Sequence, residues 1–154
     1  MRFEALADAF SADSIRVGAI ALDREHAIEM AGDLLVASGR TTPDYTKQMI
    51  DALVEHGPYM VIAPGIALAH ARTSEAVLST GLSLATLASP VEFGNANNDP
   101  VNLVFGLAAL DHDSHIEVMS ELAGVLSDPE IVNSLLNASE SKEIRQILAG
   151  DLKQ

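Results

Sequence analysis

Cysteine and tryptophan are absent from this chain of 154 residues, and aromatic residues make up only 4% of it. Without cysteine there is no disulfide framework, no thiolate metal site and no sulfur nucleophile, and a reducing compartment suits such a chain. The shortage of flat rings argues against a sugar-binding cleft, which ordinarily stacks its ligand on aromatic faces. Positive charge is scarce too: 9 Lys and Arg stand against 22 Asp and Glu, a formal net charge of −13. A surface of that sign repels DNA, RNA and anionic lipid, which makes nucleic-acid binding a poor hypothesis. Long apolar runs are also missing. The longest weakly polar stretch, Gly57 to Ala69, is broken by Pro58, Pro64 and Gly65 and falls short of the roughly 20 residues of a membrane helix. Met1 to Asp8 carry acids where a secretory signal needs an unbroken apolar stretch. A cytoplasmic protein with no membrane insertion is expected.

What is present is enough for a core. Apolar residues form 48% of the chain, with no internal repeat and no composition break. Residues 1–12 read as a lead-in, either helical or loosely packed, and residues 13–154 as one domain. Val17 to Leu22 suits a buried strand. Asp23 caps a predicted helix to about Ser38 with Ala27, Met30, Ala31, Leu34 and Leu35 inward, and Gly39 stops it. Thr42-Pro43 opens a second helix with Tyr45, Met49, Ala52 and Leu53 inward, ended by Gly57-Pro58. Met60 to Ala63 and Ile66 to Ala69 read as strands around Pro64-Gly65, Thr73 to Val77 as one helical turn, and Leu78 to Leu87 as a strand. Val91 to Phe93 is a short edge piece, Asn95 to Pro100 a loop, and Val101 to Leu110 a central strand. Ser114 and Glu117 form a predicted capping box that starts a helix at His115, with Ile116, Met119, Leu122, Ala123 and Leu126 inward. Two further helices follow, from Asp128-Pro129 to Leu136 and from Ser139 to Leu148, the last closed by Gly150. The order predicts an α/β fold, a mixed sheet flanked by helices.

Five histidines carry the candidate chemistry. His26 and His56 sit on or at the end of amphipathic helices and read as surface residues. His70 closes an apolar strand where it emerges at an edge, with Arg72 two residues on. Neutral imidazole is a good nucleophile near neutral pH, and arginine can fork onto phosphate oxygens. Taken alone, that spacing favours an ordinary hydrogen-bonded histidine and a solvated arginine by roughly three to one. His115 shifts the balance, because a first-turn residue of a helix sits where unpaired N–H groups favour an anion. Asp111 and Asp113 read as loop and cap residues rather than metal ligands. A metal-dependent hydrolase built on His70, His112, His115 and an Asp is a rival of another class, but no short His/Asp ligand signature supports it.

The stretch Gly57-Pro58-Tyr59-Met60-Val61-Ile62-Ala63-Pro64-Gly65-Ile66-Ala67-Leu68-Ala69-His70-Ala71-Arg72 resembles the phospho-acceptor segment of enzyme IIA proteins of the mannitol/fructose type. These belong to the bacterial phosphoenolpyruvate-dependent sugar phosphotransferase system. Pro90 to Gly94, Asn98 to Val101, Gly106 to Ala109 and His115-Ile116-Glu117 match in the same order, so the resemblance runs from about residue 13 to residue 150. The Gly-Pro-Tyr lead-in, His-Ala-Arg and Phe93-Gly94 look most like the L-ascorbate branch. The resemblance implies the mannitol/fructose-type IIA sandwich and a phosphotransferase step. Phosphate comes from the phosphocarrier HPr onto His70, His115 supports it, and Arg72 can contact it. A cysteine of an enzyme IIB accepts it, and it passes finally to sugar at a membrane enzyme IIC. It implies no cofactor and no metal. Galactitol, mannitol or fructose systems, and a nitrogen-type regulatory IIA, are the near alternatives. Many relatives carry proline just before the phospho-histidine, where this chain has Ala69. Residues 57–71 hold no acid, Lys or Arg, which fits either a protein interface or a buried strand.

Overall fold

A computed structural model describes residues 4–149. It contains helices α1 (Glu4–Ala9), α2 (Arg24–Ala37), α3 (Pro43–His56), α4 (His112–Leu126), α5 (Pro129–Asn137) and α6 (Ser141–Ala149). Its strands are β1 (Ile15–Ala19), β2 (Val61–Ala63), β3 (Ile66–Ala69), β4 (Gly81–Val91) and β5 (Val101–Ala108). Gly150, the predicted end of the last helix, lies outside the described residues.

The five strands form one mixed sheet in the order β1-β4-β5-β3-β2. β3 runs parallel to β5, with Ala69 opposite Gly106, so both strands release the chain at the same end of the sheet. Alternation along the central strands splits the core into two faces. Ala67, Ala69, Val104 and Ala108 meet α2 and α3, through Ala27, Ile28, Ala31, Leu35, Tyr45, Met49 and Leu53. Ile66, Leu68, Leu103, Phe105 and Leu107 meet α1, α4, α5 and α6, through Leu6, Phe10, Val118, Leu122, Val125, Leu135 and Ile144. This is the expected α/β sandwich of a mixed sheet between helical layers.

The small residues on the first face let α2 come close. A Cβ on Gly106 would lie 2.5 Å from the Ser83 hydroxyl and 3.2 Å from Ala31, and that hydroxyl donates a buried bond to the Ala31 carbonyl at 2.7 Å. Gly106→Ala is therefore expected to cost about 1–3 kcal/mol by overpacking, read as a lowered midpoint in thermal or urea unfolding. An unchanged midpoint would show that the layer yields freely.

Several elements depart from the sequence expectation, each for a local reason. The first strand begins at Ile15 and ends at Ala19, because Gly18 at φ 70° and a register shift break it; Ile20 and Leu22 are 68% and 83% exposed, not buried. Residues 73–77 form no helix: Ser74, not Thr73, caps the turn, its hydroxyl accepting from the Ala76 amide, and Val77 pairs with Thr41 as a β-bridge. β4 starts later than Leu78, since the amides of Leu78 and Ser79 both bond the Arg40 carbonyl, and it continues through Val91 by pairing with Val101. Phe93 is fully buried in the α2–α3 core rather than on an edge piece. β5 stops at Ala108, leaving a short turn before α4. Within the described part of the lead-in, Glu4–Ala9 is helical and packed, with Leu6 and Phe10 buried and the Glu121 carboxylate accepting the amides of Ala5 and Leu6.

α4 begins one turn earlier than the capping-box reading. Two oxygen-bearing residues compete for the cap, and Asp111 wins: its carboxylate accepts the Ser114 amide at 2.8 Å, and its carbonyl takes the His115 amide at 3.1 Å. The inward face shifts accordingly to Val118, Leu122 and Val125, and Ile116 is 52% exposed.

Candidate active site

The site forms where β3 and β5 end side by side. Past Ala69 the chain carries His70 out of the sheet, and past Ala108 it turns through Ala109 to Asp111 into α4. A cleft of about 540 Å³ opens there, lined among others by His70, Arg72, Leu107, Asp111, His112 and His115. His70 is half-buried, so its ring is neither sealed in the core nor free in solvent. His112 and His115 stand three apart at the start of α4 and share the face that looks into the cleft. Arg72 is exposed and lines both this cleft and the adjoining groove with Gln48, Asp51 and Glu55.

The ring of His70 is oriented by its own chain. Nδ1 lies 2.8 Å from the Leu68 carbonyl. A carbonyl only accepts, so Nδ1 carries the proton and Nε2 is left with a lone pair. A single tautomer is thereby selected, with its nucleophilic nitrogen directed away from the backbone. Tyr59 stands edge-on to the same ring, centroids 5.4 Å apart at 79°, and His56 stands edge-on to Tyr59 at 5.9 Å and 88°.

The second loop is fixed at both ends. The Ser114 amide, with the Ser114 hydroxyl behind it, holds the Asp111 carboxyl below its ordinary value, so the cap is an ionised carboxylate. Thr80, just before β4, bonds the Ser114 hydroxyl at 2.8 Å and accepts the Leu110 amide at 3.0 Å. Thr80→Val keeps the shape and removes both bonds. It is expected to slow chemistry at this site by about 3- to 10-fold while the protein still unfolds cooperatively, because the His112–His115 turn loses its anchor. Wild-type activity in the folded variant would show that the turn holds itself.

His70, Arg72 and His115, the residues picked from sequence, thus line one cleft, together with His112 and Asp111. His115 sits there by side chain, but its amide is already bonded within the helix and offers nothing to an anion. His26 is elsewhere, its Nδ1 accepting the Leu22 amide. His56 is exposed, as a surface histidine should be, yet it lines the cleft. Sequence reasoning passed over it and Tyr59. No local pattern marks either for the site: after Gly57 a short 3-10 turn, Pro58–Met60, carries Tyr59 to the ring of His70. Tyr45 was read as core alone, although a buried phenol needs polar partners. Among the described residues, no group of three or more His, Cys, Asp or Glu side chains is placed to hold a metal ion, and no helix is long and apolar enough to cross a membrane.

Residues 8–150 match the family described as the phosphoenolpyruvate-dependent sugar phosphotransferase system, EIIA 2. The ascorbate-specific PTS system EIIA component of Escherichia coli (strain K12) is 37% identical over 136 residues, 88% of each chain. The solution structure of the mannitol-specific cryptic phosphotransferase enzyme IIA CmtB from Escherichia coli superposes with a TM-score of 0.84 at 36% identity, covering 97% of this chain and 99% of that one. A chain from the complex of enzyme IIAMTL with phosphorylated enzyme IIBMTL, also from Escherichia coli, gives a TM-score of 0.80 at 29% identity over 92% and 97%.

Proposed function

Because the chain belongs to the EIIA 2 family of the phosphoenolpyruvate-dependent sugar phosphotransferase system, whose members carry phosphate, we propose that it accepts that phosphate on Nε2 of His70 from phospho-HPr. It then delivers the phosphate to a cysteine of a cognate enzyme IIB in the cytoplasm, for L-ascorbate uptake through a membrane enzyme IIC. The observation that carries the assignment to His70 is the bond from Nδ1 to the Leu68 carbonyl, which leaves one ring nitrogen with a lone pair at the cleft.

The transfer balances with that tautomer. The Nε2 lone pair attacks phosphorus on the donor's phosphorylated ring, and the donor's P–N bond breaks with its pair returning to that ring's nitrogen. His70 becomes a phosphoimidazolium whose Nδ1–H points at the Leu68 carbonyl, which steadies the positive charge. In the second step the IIB thiolate attacks phosphorus and the P–N bond breaks, its electrons returning to Nε2 and restoring the neutral ring. Arg72 and His115, on the same cleft, supply positive charge or hydrogen bonds to phosphoryl oxygens as they spread charge in flight. Both substrates are proteins, and exposed apolar side chains stand at and beside the cleft for them to cover: Tyr59 and Leu110 are 44% and 50% exposed, and Ile116, one residue past His115, is 52% exposed.

The assignment to ascorbate rests on the relative at 37% identity and on the Gly57-Pro58-Tyr59 and His70-Ala71-Arg72 segments. The mannitol reading has nearly equal support at 36%. Incubation with phosphoenolpyruvate, enzyme I and HPr is expected to give one acid-labile, alkali-stable phosphate per chain. Offering phosphorylated protein to ascorbate and mannitol IIB domains is expected to discharge it faster onto the first. Preference for the mannitol domain would reverse the substrate assignment while leaving the carrier role intact.

A further inference from the structure

Met49 and Leu53, the other large inward residues of α3, are aliphatic and need only packing. Tyr45 on the same face carries a hydroxyl into the interior, where it is 1% exposed. A phenol is a costly choice at such a place unless its oxygen is used. The oxygen is used, and every partner belongs to the site. Oη accepts the Ala71 amide at 3.0 Å, directly after the proposed acceptor histidine. It lies 2.7 Å from the Leu107 carbonyl and 3.1 Å from the Ala71 carbonyl, so its single proton goes to one or is shared, with Leu107 the nearer.

One atom therefore ties together the two backbones that build the cleft. Ala71 has left the β3 ladder, and Leu107 lies in the last turn of β5 before the chain swings through Asp111 to His115. Burial pushes the Tyr45 phenol up to about 12, so the group remains a hydrogen-bond donor throughout the neutral range.

We infer that Tyr45 is a positioning residue for phosphoryl transfer: its hydroxyl holds the His70 segment in register with the strand that delivers His115, without touching phosphate itself. The inference rests on His70 as the acceptor. In-line transfer depends on a near-attack geometry, and a displacement of about 1 Å can cost on the order of 10²-fold in rate. A hydroxyl that fixes the peptide next to the nucleophile acts on that distance, and it also protects the Leu68–His70 turn that selects the ring tautomer. Its removal should change chemistry within the complex and leave docking alone, since Tyr45 is not on the surface.

The test compares wild type, His70→Ala and Tyr45→Phe, using phospho-HPr as donor in single-turnover mixing. Labelling of wild type and none of His70→Ala establishes the acceptor. Any other pattern for that pair overturns the acceptor assignment, and this inference with it, whatever Tyr45→Phe does. With the acceptor established, Tyr45→Phe is expected to reach full labelling at a maximal rate about tenfold lower, with the half-saturating donor concentration unchanged within about twofold. The His70 ring nitrogens, followed by 15N NMR, should move from a single Nδ1–H tautomer toward an average of two. Wild-type rate and wild-type ring resonances in folded Tyr45→Phe overturn the inference. Should that variant fail to fold, a chain with only 2 tyrosines offers another route. In a Tyr59→Phe background, 3,5-difluorotyrosine labels Tyr45 alone and weakens Oη as an acceptor for the Ala71 amide. A slower maximal rate at constant half-saturation supports the inference, and an unaltered rate refutes it.

Discussion

Replacing His70 with alanine is expected to abolish phosphate uptake entirely while the protein still folds. Three other histidines, His56, His112 and His115, line the same cleft, so loss of labelling is not a trivial consequence of removing the nearest imidazole. What separates His70 is its hydrogen bond to the Leu68 carbonyl, which fixes the proton on Nδ1 and frees Nε2. Among the described residues, His26 has the opposite arrangement, its Nδ1 accepting a backbone amide and lying away from the cleft. The ring of His70 is half-buried and its replacement removes little packing. The Leu68 carbonyl loses one hydrogen bond, a net cost of about 1 kcal/mol that leaves the fold intact. Circular dichroism and thermal unfolding should stay close to wild type, with the phospho-adduct missing from intact-mass spectra. Labelling at an undiminished level would move the acceptor to one of the other three.

His115→Ala is expected to have the second largest effect, a fall of about 10²-fold in transfer rate with full labelling still reached at long times. The side chain reaches the cleft from the fourth residue of α4, on a turn held by the Asp111 cap and the Thr80–Ser114 bond. Because its amide is spent within the helix, whatever His115 contributes must come from the ring. A ring that donates to phosphoryl oxygens stabilises charge in transit and is not consumed, which is why the end point survives and the rate does not. Rapid-quench measurements with phospho-HPr separate the two. An unchanged rate would demote His115 to an ordinary helix-start residue; a complete absence of adduct would make it part of the acceptor itself.

Much of this was legible in the residue pattern. The caps of α2, α3 and α5 at Asp23, Thr42 and Asp128 follow from local chemistry and stand where expected. Ile66 to Ala69 form the expected strand, and glycine at φ 78° follows the end of α2 at Gly39 as expected. What failed were contests between neighbouring signals. Asp111 and Ser114 are both good cap residues three apart, and the outcome depended on Thr80, distant in sequence, engaging the Ser114 hydroxyl. The end of β1 was misplaced because an exposed Ile20 and Leu22 continue an apolar run that Gly18 has already broken. The charge-free segment 57–71 divided between its two readings: Val61 and Ile66 to Ala69 are buried strand and Met60, expected in the strand, is buried in the 3-10 turn before it, whereas Tyr59 and Ile62 each keep 44% exposure. The convergence of His56, Tyr59 and Tyr45 on His70 had no local signature, since it arises from the crossing of α3 over the end of the sheet.

Phosphate is proposed to travel through one atom, Nε2 of His70. Long-range 1H–15N correlation of the protein phosphorylated through phosphoenolpyruvate, enzyme I and HPr reads the modified nitrogen directly. The prediction is phosphorus coupled to Nε2 of His70, with Nδ1 retaining its proton toward Leu68. Phosphorus on Nδ1, or on the ring of His56, His112 or His115, would contradict it.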